Sequence, residues 1–432
     1  MPLYADFHIH SKYARAVSVS STLENLAKGA ETKGLSILGT GDFTHPLWFK
    51  EIKEKLRQID NSGIYELTSI STKTKFMLTT EVATFDSFKR VHHVVHVPNM
   101  ENVQQLNDVY SKRGNLAADG RPMLGKTSCA EFVEMTKAVC KEAEIVPAHS
   151  FTPWFGILGD KSGYNSVQEA YGDKASKVVA CESGMSADPA MMWRVSSLDS
   201  FAIMSNSDPH SPHPWRLGRE CNAFSDDCNS FTKIFDAVRK QDEEKFLFTV
   251  ETSPSYGKYH VSGHRACGFS CSFEEAKRLK EICPKCNKPL TIGVEKRIEE
   301  LADREEGYVR KNAIPFRTIL PLAELIAAVY RTNLYSKKVQ EEYQKLIAKF
   351  GNEFHIVFDV GEAELKEVSG LEVARVIMLN RDNLIKITPG FDGEYGVLQL
   401  PEQLILGKKR GKKEAETNES NNSKAQKSLA EY

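Results

Sequence analysis

The sequence predicts an α/β protein: a parallel sheet or barrel over residues 1–252, a small cysteine-stapled module over 253–305, and a helical and α+β region over 306–406. Three observations predict it. Short apolar runs alternate with amphipathic helical stretches between Leu3 and Arg239, the pattern of repeated βα units. Histidines and carboxylates recur just beyond those apolar runs. Two short-spaced cysteine pairs, Cys267/Cys271 and Cys283/Cys286, then mark a change of texture.

The elements follow in order. Leu3–Ile9 reads as a first strand, and Leu23–Lys33 as a helix stopped by Gly34, a residue suited to a left-handed cap. Leu35–Thr40 is a strand, Trp48–Ile59 a helix, and Ile64–Ile70, Lys75–Thr80 and Val91–Val97 are strands. Helices at Val103–Lys112 and Cys129–Glu142 precede strands at Glu144–Pro147, Lys177–Ala180 and Phe201–Met204, with a helix at Phe231–Arg239. Beyond the cysteines, Pro315–Phe350 reads as helical. Phe354–Leu400 reads as strands and turns around Val373–Met378 and Leu384–Ile387. From Gly407 the chain has almost no large apolar residues, and residues 407–432 are expected to be a disordered tail.

Composition bounds the function. Of 432 residues, 41% are hydrophobic and 27% charged, and 57 Lys+Arg against 58 Asp+Glu leave a net charge of -1. Bulk attraction to a polyanion is therefore excluded as the driving feature, and a nucleic-acid surface has to be local. No apolar run is long enough to span a membrane and the N-terminus lacks a secretory pattern, so the expectation is an intracellular, cytoplasmic, nucleoid-associated monomer.

Nine of the twelve histidines lie within the first 213 residues. His8 and His10, two apart on a strand, project from one face. Asp208 and His210 repeat that spacing in SNSDPH. Between them come Asp42 and His45 in GTGDFTHP, Glu81 after KFMLTT, His93 in RVHHVVHVP and His149 in VPAHSF. His92 and His96 face away from His93 on an ideal strand, so at most one of the two sets faces a shared site. Imidazoles with a few carboxylates suit zinc or a similar metal, and a bridging carboxylate suits two metals acting on phosphoryl groups.

The order H-x-H, a central Glu, later single histidines and a terminal S-D-x-H resembles the polymerase-and-histidinol-phosphatase (PHP) superfamily. The resemblance implies a distorted (β/α)7 barrel holding two or three divalent ions (Zn, Mn or Mg) and hydrolysing phosphate esters. It implies one ion on His8, His10, Glu81 and Asp208, a second on Glu81, His93 and His149, and a third on His210 with Asp42 or His45. Asp208, Glu81 and His210 are the catalytic candidates. Two departures stand out: Ala16 occupies a position where a further ligand often falls, and Gly41-Asp42-Phe43 replaces the usual threonine-aspartate-histidine motif.

Cys267, Cys271, Cys283 and Cys286 supply four thiolates, enough to close one tetrahedral structural zinc, with His260 and His264 nearby as substitutes. Residues 256–297 carry a net charge of +5, a local patch suited to DNA phosphates. The barrel followed by YGKYHVSGHRACGFSC and CPKCNKPLTIGVEKR resembles the endonuclease Q family over roughly residues 1–400. That resemblance implies metal-dependent incision 5′ to uracil, hypoxanthine, xanthine or an abasic site in single- or double-stranded DNA, leaving 3′-hydroxyl and 5′-phosphate ends. Trp48, Trp154, Trp215, Arg216, Lys258 and Arg265 are the candidate DNA contacts. Gln426-x-x-Leu429-x-x-Tyr432, in a basic tail, is similar to the peptide box that docks on the replication sliding clamp. Two other functions compete: a phosphatase for a small phosphomonoester, and a non-catalytic DNA-binding scaffold at the clamp.

Overall fold

The structure is a computed structural model and describes residues 2–407; the tail beyond, with Gln426, Leu429 and Tyr432, lies outside the described residues. The chain divides into two compact units. The first comprises Met1–Leu320, Asn352–Phe354 and Lys386–Gln399; the second comprises Pro321–Gly351, His355–Ile385 and the chain from Leu400.

The strands, in chain order, are β1 (Leu3–Asp6), β2 (Ile37–Gly39), β3 (Leu56–Gln58), β4 (Ile64–Leu67), β5 (Lys75–Asp86), β6 (Lys89–Val97), β7 (Met123–Gly125), β8 (Glu144–Pro147), β9 (Ala180–Glu182), β10 (Ala202–Met204), β11 (Cys221–Phe224), β12 (Phe246–Glu251), β13 (Ser262–His264), β14 (Phe269–Cys271), β15 (Phe316–Thr318), β16 (Lys386–Thr388) and β17 (Val397–Gln399). The main sheet runs β15-β12-β11-β1-β2-β5-β4-β3, with β6 and β7 joined to β5 and β8 joined to β6. It is mixed where the alternation suggested a parallel sheet. β1, β2 and β5 are parallel, but β6 turns back on β5 through a tight hairpin, and β11 runs antiparallel to β1.

β9 and β10 form a separate parallel pair. Side chains nevertheless join the strands around one core, where Ala5, Ile37, Met77, Val146, Ala180, Ala202, Met204 and Phe224 are buried together. That shared burial explains the strands' short, β-branched, apolar composition, and it brings their ends to one region.

The helix Leu23–Lys33 shows how local sequence fixes an element. Thr22 accepts a hydrogen bond from the Asn25 amide at the N-terminus, and Gly34, at φ 104°, returns its N–H to Ala30 at the other end. Leu23, Leu26, Ala27 and Ala30 form the buried stripe between those caps.

The first unit extends past the expected boundary at 306, because β15 adds in parallel to β12. The second unit is helical. Leu322–Tyr330, Lys337–Phe350 and Glu362–Arg381 pack on one another. The expected strand at Val373–Met378 is instead part of the last of these helices. Val373, Ala374, Val376 and Ile377 are buried at helical spacing, so tertiary burial overrides the β-preference of their branched side chains. Gly370, at φ 82°, kinks that helix.

Candidate active site

His8 and His10 leave β1 on the same face, both buried. Their Nδ1 atoms are each held by a carboxylate, His8 by Glu182 at 3.0 Å and His10 by Asp42 at 2.9 Å. A carboxylate accepts, so each imidazole carries its proton on Nδ1 and turns the Nε2 lone pair inward. There the lone pairs meet further acceptors. His10 Nε2 lies 3.2 Å from Glu81 Oε2 and 3.1 Å from Asp208 Oδ1; His8 Nε2 lies 3.5 Å from Glu81 Oε2. His8 Nε2, His10 Nε2 and Asp208 Oδ1 are buried and make no hydrogen bond. Acceptors facing acceptors repel unless cations lie among them.

Glu81 reaches both ways. Its other oxygen faces His92 Nδ1 at 2.7 Å and His149 Nε2 at 3.4 Å. Three donor groups result, each within 4.8 Å: His8, His10 and Glu81; His10, Asp208 and His210; Glu81, His92 and His149. They share Glu81 and His10, the arrangement of a multinuclear centre. Zinc or manganese fits this imidazole–carboxylate set.

Charge supports the geometry. Burial disfavours protonated His8, yet Glu182, Glu81 and Asp208 hold it well above the usual imidazole range, so with no cation present this excess of negative charge draws a proton to the place a metal ion would take. Burial disfavours ionised Glu81 too, and His92 and Arg121 outweigh it, holding Glu81 well below the usual carboxylate range. His92 is drawn down to about 4 by its burial, against the pull of Glu81, and is neutral as a ligand has to be.

The backbone is bent to this purpose. Asp42, His149 and Asp208 have φ of 46°, 31° and 41°. Such left-handed residues cost of order 1–3 kcal/mol each and concentrate at functional sites. Cross-links hold them in place: Ser11 N–H donates to Asp42, His149 N–H donates to Glu182, and Asp208 N–H donates to the His8 carbonyl.

Several expected site residues lie elsewhere. His93, expected as a ligand, faces the core, where it meets Thr84 and Tyr171 and stacks on Phe132. Register decides this. His92 sits opposite Ala83 and His93 opposite Val82, so His92 shares the face of Glu81. Asp42 supports His10 from behind rather than joining a donor group, and His45 stacks on Tyr13. Trp48 is fully buried, its indole N–H donating to the Thr40 and Gly41 carbonyls, and Trp215 is buried against His213. Both are placed as scaffold, not as DNA contacts.

Trp154 is 38% exposed and meets Tyr259 edge-on, while Phe155 stacks on His92 at 4.2 Å. Lys258 and Arg216 approach the Tyr395 ring, and Arg265 pairs with Glu394. Carboxylates from outside the stretch offset part of the +5 patch, Glu394 pairing with Arg265 and Glu300 with Lys296 and Arg297.

In the cysteine module, β13 and β14 form a hairpin with Cys267 in its turn. The four donors within 4.8 Å are His264, Cys267, Cys283 and Cys286. Cys271, expected in the set, instead pairs across the hairpin with Ser262 and packs with Ala276, Cys283 and Leu290. Burial raises the Cys283 thiol, but the N–H groups of Lys285 and Cys286 outweigh it and lower its pKa. Donors aimed at sulfur prepare a thiolate, so this set fits a structural zinc.

Fold and site together define the class: an α/β protein with a histidine–carboxylate centre at its strand ends and a separate Cys/His module. A sequence family described as the MJ0043 C-terminal domain matches residues 321–384. The uncharacterised protein MJ0043 of Methanocaldococcus jannaschii is 32% identical over 260 residues, 59% of this chain; the match spans only 32% of that longer protein. The crystal structure of the lesion-specific endonuclease PfuEndoQ from Pyrococcus furiosus is similar with a TM-score of 0.83 at 34% identity, covering 95% of this chain and 98% of that one. A structure of endonuclease Q with a 27-mer duplex carrying an abasic lesion at its active site gives 0.85 at 34% identity, covering 95% and 99%. The chain belongs to the endonuclease Q family of nucleases.

Sequence reasoning missed Glu182, His92, Arg121 and His264. Glu182 carried a usable signal, since it is an acidic residue at the end of a short apolar strand. His264 was noted only as a spare.

Proposed function

We propose that this protein is a metal-dependent DNA-repair endonuclease on a PHP-type barrel. It cuts the phosphodiester 5′ to uracil, hypoxanthine, xanthine or an abasic site and leaves 3′-hydroxyl and 5′-phosphate ends. The observation that carries the reading is the inward-facing set of His8, His10, Glu81 and Asp208, whose lone pairs converge without hydrogens between them. Family membership supplies the substrate class.

His8, His10, Glu81, His92, His149, Asp208 and His210 would hold the ions. When bound, divalent metals supply the Lewis acidity that activates water and steadies the leaving oxygen. The protein's own part is orientation. Glu182 and Asp42 fix the tautomers of His8 and His10, Arg121 holds Glu81 at 3.2 Å, and Asn206 braces Glu182 at 2.8 Å. A damaged base leaves the stack at the lowest cost. Half-exposed Trp154 with Tyr259 offers an aromatic surface to receive it, beside Phe155 and His92. His264, Cys267, Cys283 and Cys286 would hold one structural zinc. Gln426, Leu429 and Tyr432 are proposed to dock on the sliding clamp. Among the described residues no helix is long and apolar enough to cross a membrane.

The test is incision of an end-labelled duplex carrying one deoxyuridine, beside an undamaged duplex, with and without chelator. A single chelator-sensitive cut 5′ to the deoxyuridine is expected. Hydrolysis of a phosphomonoester with neither duplex cut would replace the reading with that of a phosphatase.

A further inference from the structure

Beside the metal centre, the hairpin of β16 and β17 returns to the first unit and places Tyr395 among three cationic side chains. Arg219, only 8% exposed, donates from Nη1 to the Tyr395 hydroxyl at 3.2 Å, and from Nε and Nη2 to the Ser207 carbonyl at 3.2 and 3.0 Å. Ser207 immediately precedes Asp208. The Lys258 ammonium lies 4.7 Å from the centre of the Tyr395 ring and the Arg216 guanidinium 5.4 Å from it, while Tyr256 stacks on it at 5.2 Å. The three cations come from two separate segments of chain and converge on one phenol.

A buried phenol is ordinarily pushed up. Here Arg219, Lys258 and Arg216 overcome the burial and bring Tyr395 down to about 7, the mark of a positive potential at the hydroxyl. Such a field beside a phosphodiesterase centre calls for an anion. We infer that Lys258, Arg216 and the Arg219-backed hydroxyl of Tyr395 form a second phosphate site, which takes a non-scissile phosphodiester of the DNA strand close to the cut. This inference rests on the DNA-endonuclease reading and deepens it. Arg219 then has two jobs, since the same guanidinium that backs the phosphate site holds the carbonyl before Asp208. A docked backbone and a correctly placed metal ligand are thereby tied to one side chain. The ligand class is a phosphodiester because a flexible, half-exposed lysine over a ring recognises charge rather than a base edge.

The experiment measures the affinity of the full chain for a fluorescein-labelled undamaged duplex across a KCl series, for wild type, Lys258→Gln and Lys258→Arg. Thermal melting checks that each variant folds. Removing one phosphate contact lowers the slope of log affinity against log salt by about 0.9. The expected result is that loss for Lys258→Gln and a wild-type slope for Lys258→Arg. An unchanged slope for Lys258→Gln overturns the second phosphate site and leaves the endonuclease reading intact. Equal loss in both variants makes Lys258 a structural residue and also overturns it. Failure of the wild type to bind any duplex overturns the DNA reading, and the site with it.

Discussion

The two donor clusters of this chain are built in opposite ways. The Cys/His module draws four donors from Cys286 back to His264, a single short stretch closed by a hairpin and a knuckle. The histidine–carboxylate centre draws its donors from chain positions 8 to 210, and His8 and His10 each depend on a carboxylate to hold them. A closed four-donor site stabilises a fold; a shared, multi-donor site at strand ends leaves room for substrate. The comparison predicts that losing metal has different consequences in the two places. In the module it is expected to remove structure. At the histidine–carboxylate centre, whose donors are not part of the apolar core, it is expected to remove chemistry.

Substitutions sharpen this contrast, beginning with the largest expected effect. Asp208→Asn is expected to reduce incision to background while the melting temperature stays near wild type; retained incision would remove Asp208 from the mechanism. Next, His264→Asn and Cys283→Ser are expected to lose one zinc per chain and hydrogen-exchange protection in residues 262–292, whereas Cys271→Ser keeps the zinc. Zinc lost from Cys271→Ser but retained by His264→Asn would restore the four-thiolate arrangement.

Glu182→Gln tests how far the histidine–carboxylate centre depends on support from behind. Loss of a carboxylate behind a metal-ligating imidazole lowers metal affinity by roughly 10–100-fold. Raised metal concentration is expected to rescue incision by this variant, but not by Asp208→Asn.

A smaller effect concerns the buried carboxyl pair Glu220 and Glu251. Burial holds Glu220 well above the usual range and raises Glu251 to about 8. The folded chain therefore keeps a proton that the unfolded chain releases near the ordinary carboxylate pKa. The stability this confers is complete below that pKa and is lost as pH rises toward about 8. Glu251→Gln is expected to flatten the fall of melting temperature between pH 5 and 8. A slope identical to wild type would show that the pair is already ionised. Smallest of all, Thr22→Ala removes a helix cap and costs about 1 kcal/mol in chemical denaturation.

Much of this was legible in the sequence, for physical reasons. The strand that leads to His8 and His10 and the one that carries Glu81 announce themselves as short apolar runs, and Gly34 marks a helix end because its backbone has to turn left-handed there. The choice between His92 and His93 was not legible, because it depends on where the β5–β6 hairpin turns, and a shift of one residue exchanges the faces. Trp48 and Trp215 misled because an indole beside a ligand loop reads alike whether it braces the loop or meets DNA. Cys271 misled for a related reason. Spacing counts thiols but does not say which one a hairpin turns inward, and here His264 takes the place.

The central claim is that the inward lone pairs of the histidine–carboxylate centre hold cations of their own, separate from the module. Elemental analysis of the purified full chain, beside Glu81→Gln and His264→Asn, tests it most directly. The account predicts more than one divalent ion per chain in the wild type, with Glu81→Gln losing the ions of this centre but keeping the module zinc and His264→Asn doing the reverse. One zinc per chain in the wild type, unchanged by Glu81→Gln, would contradict it.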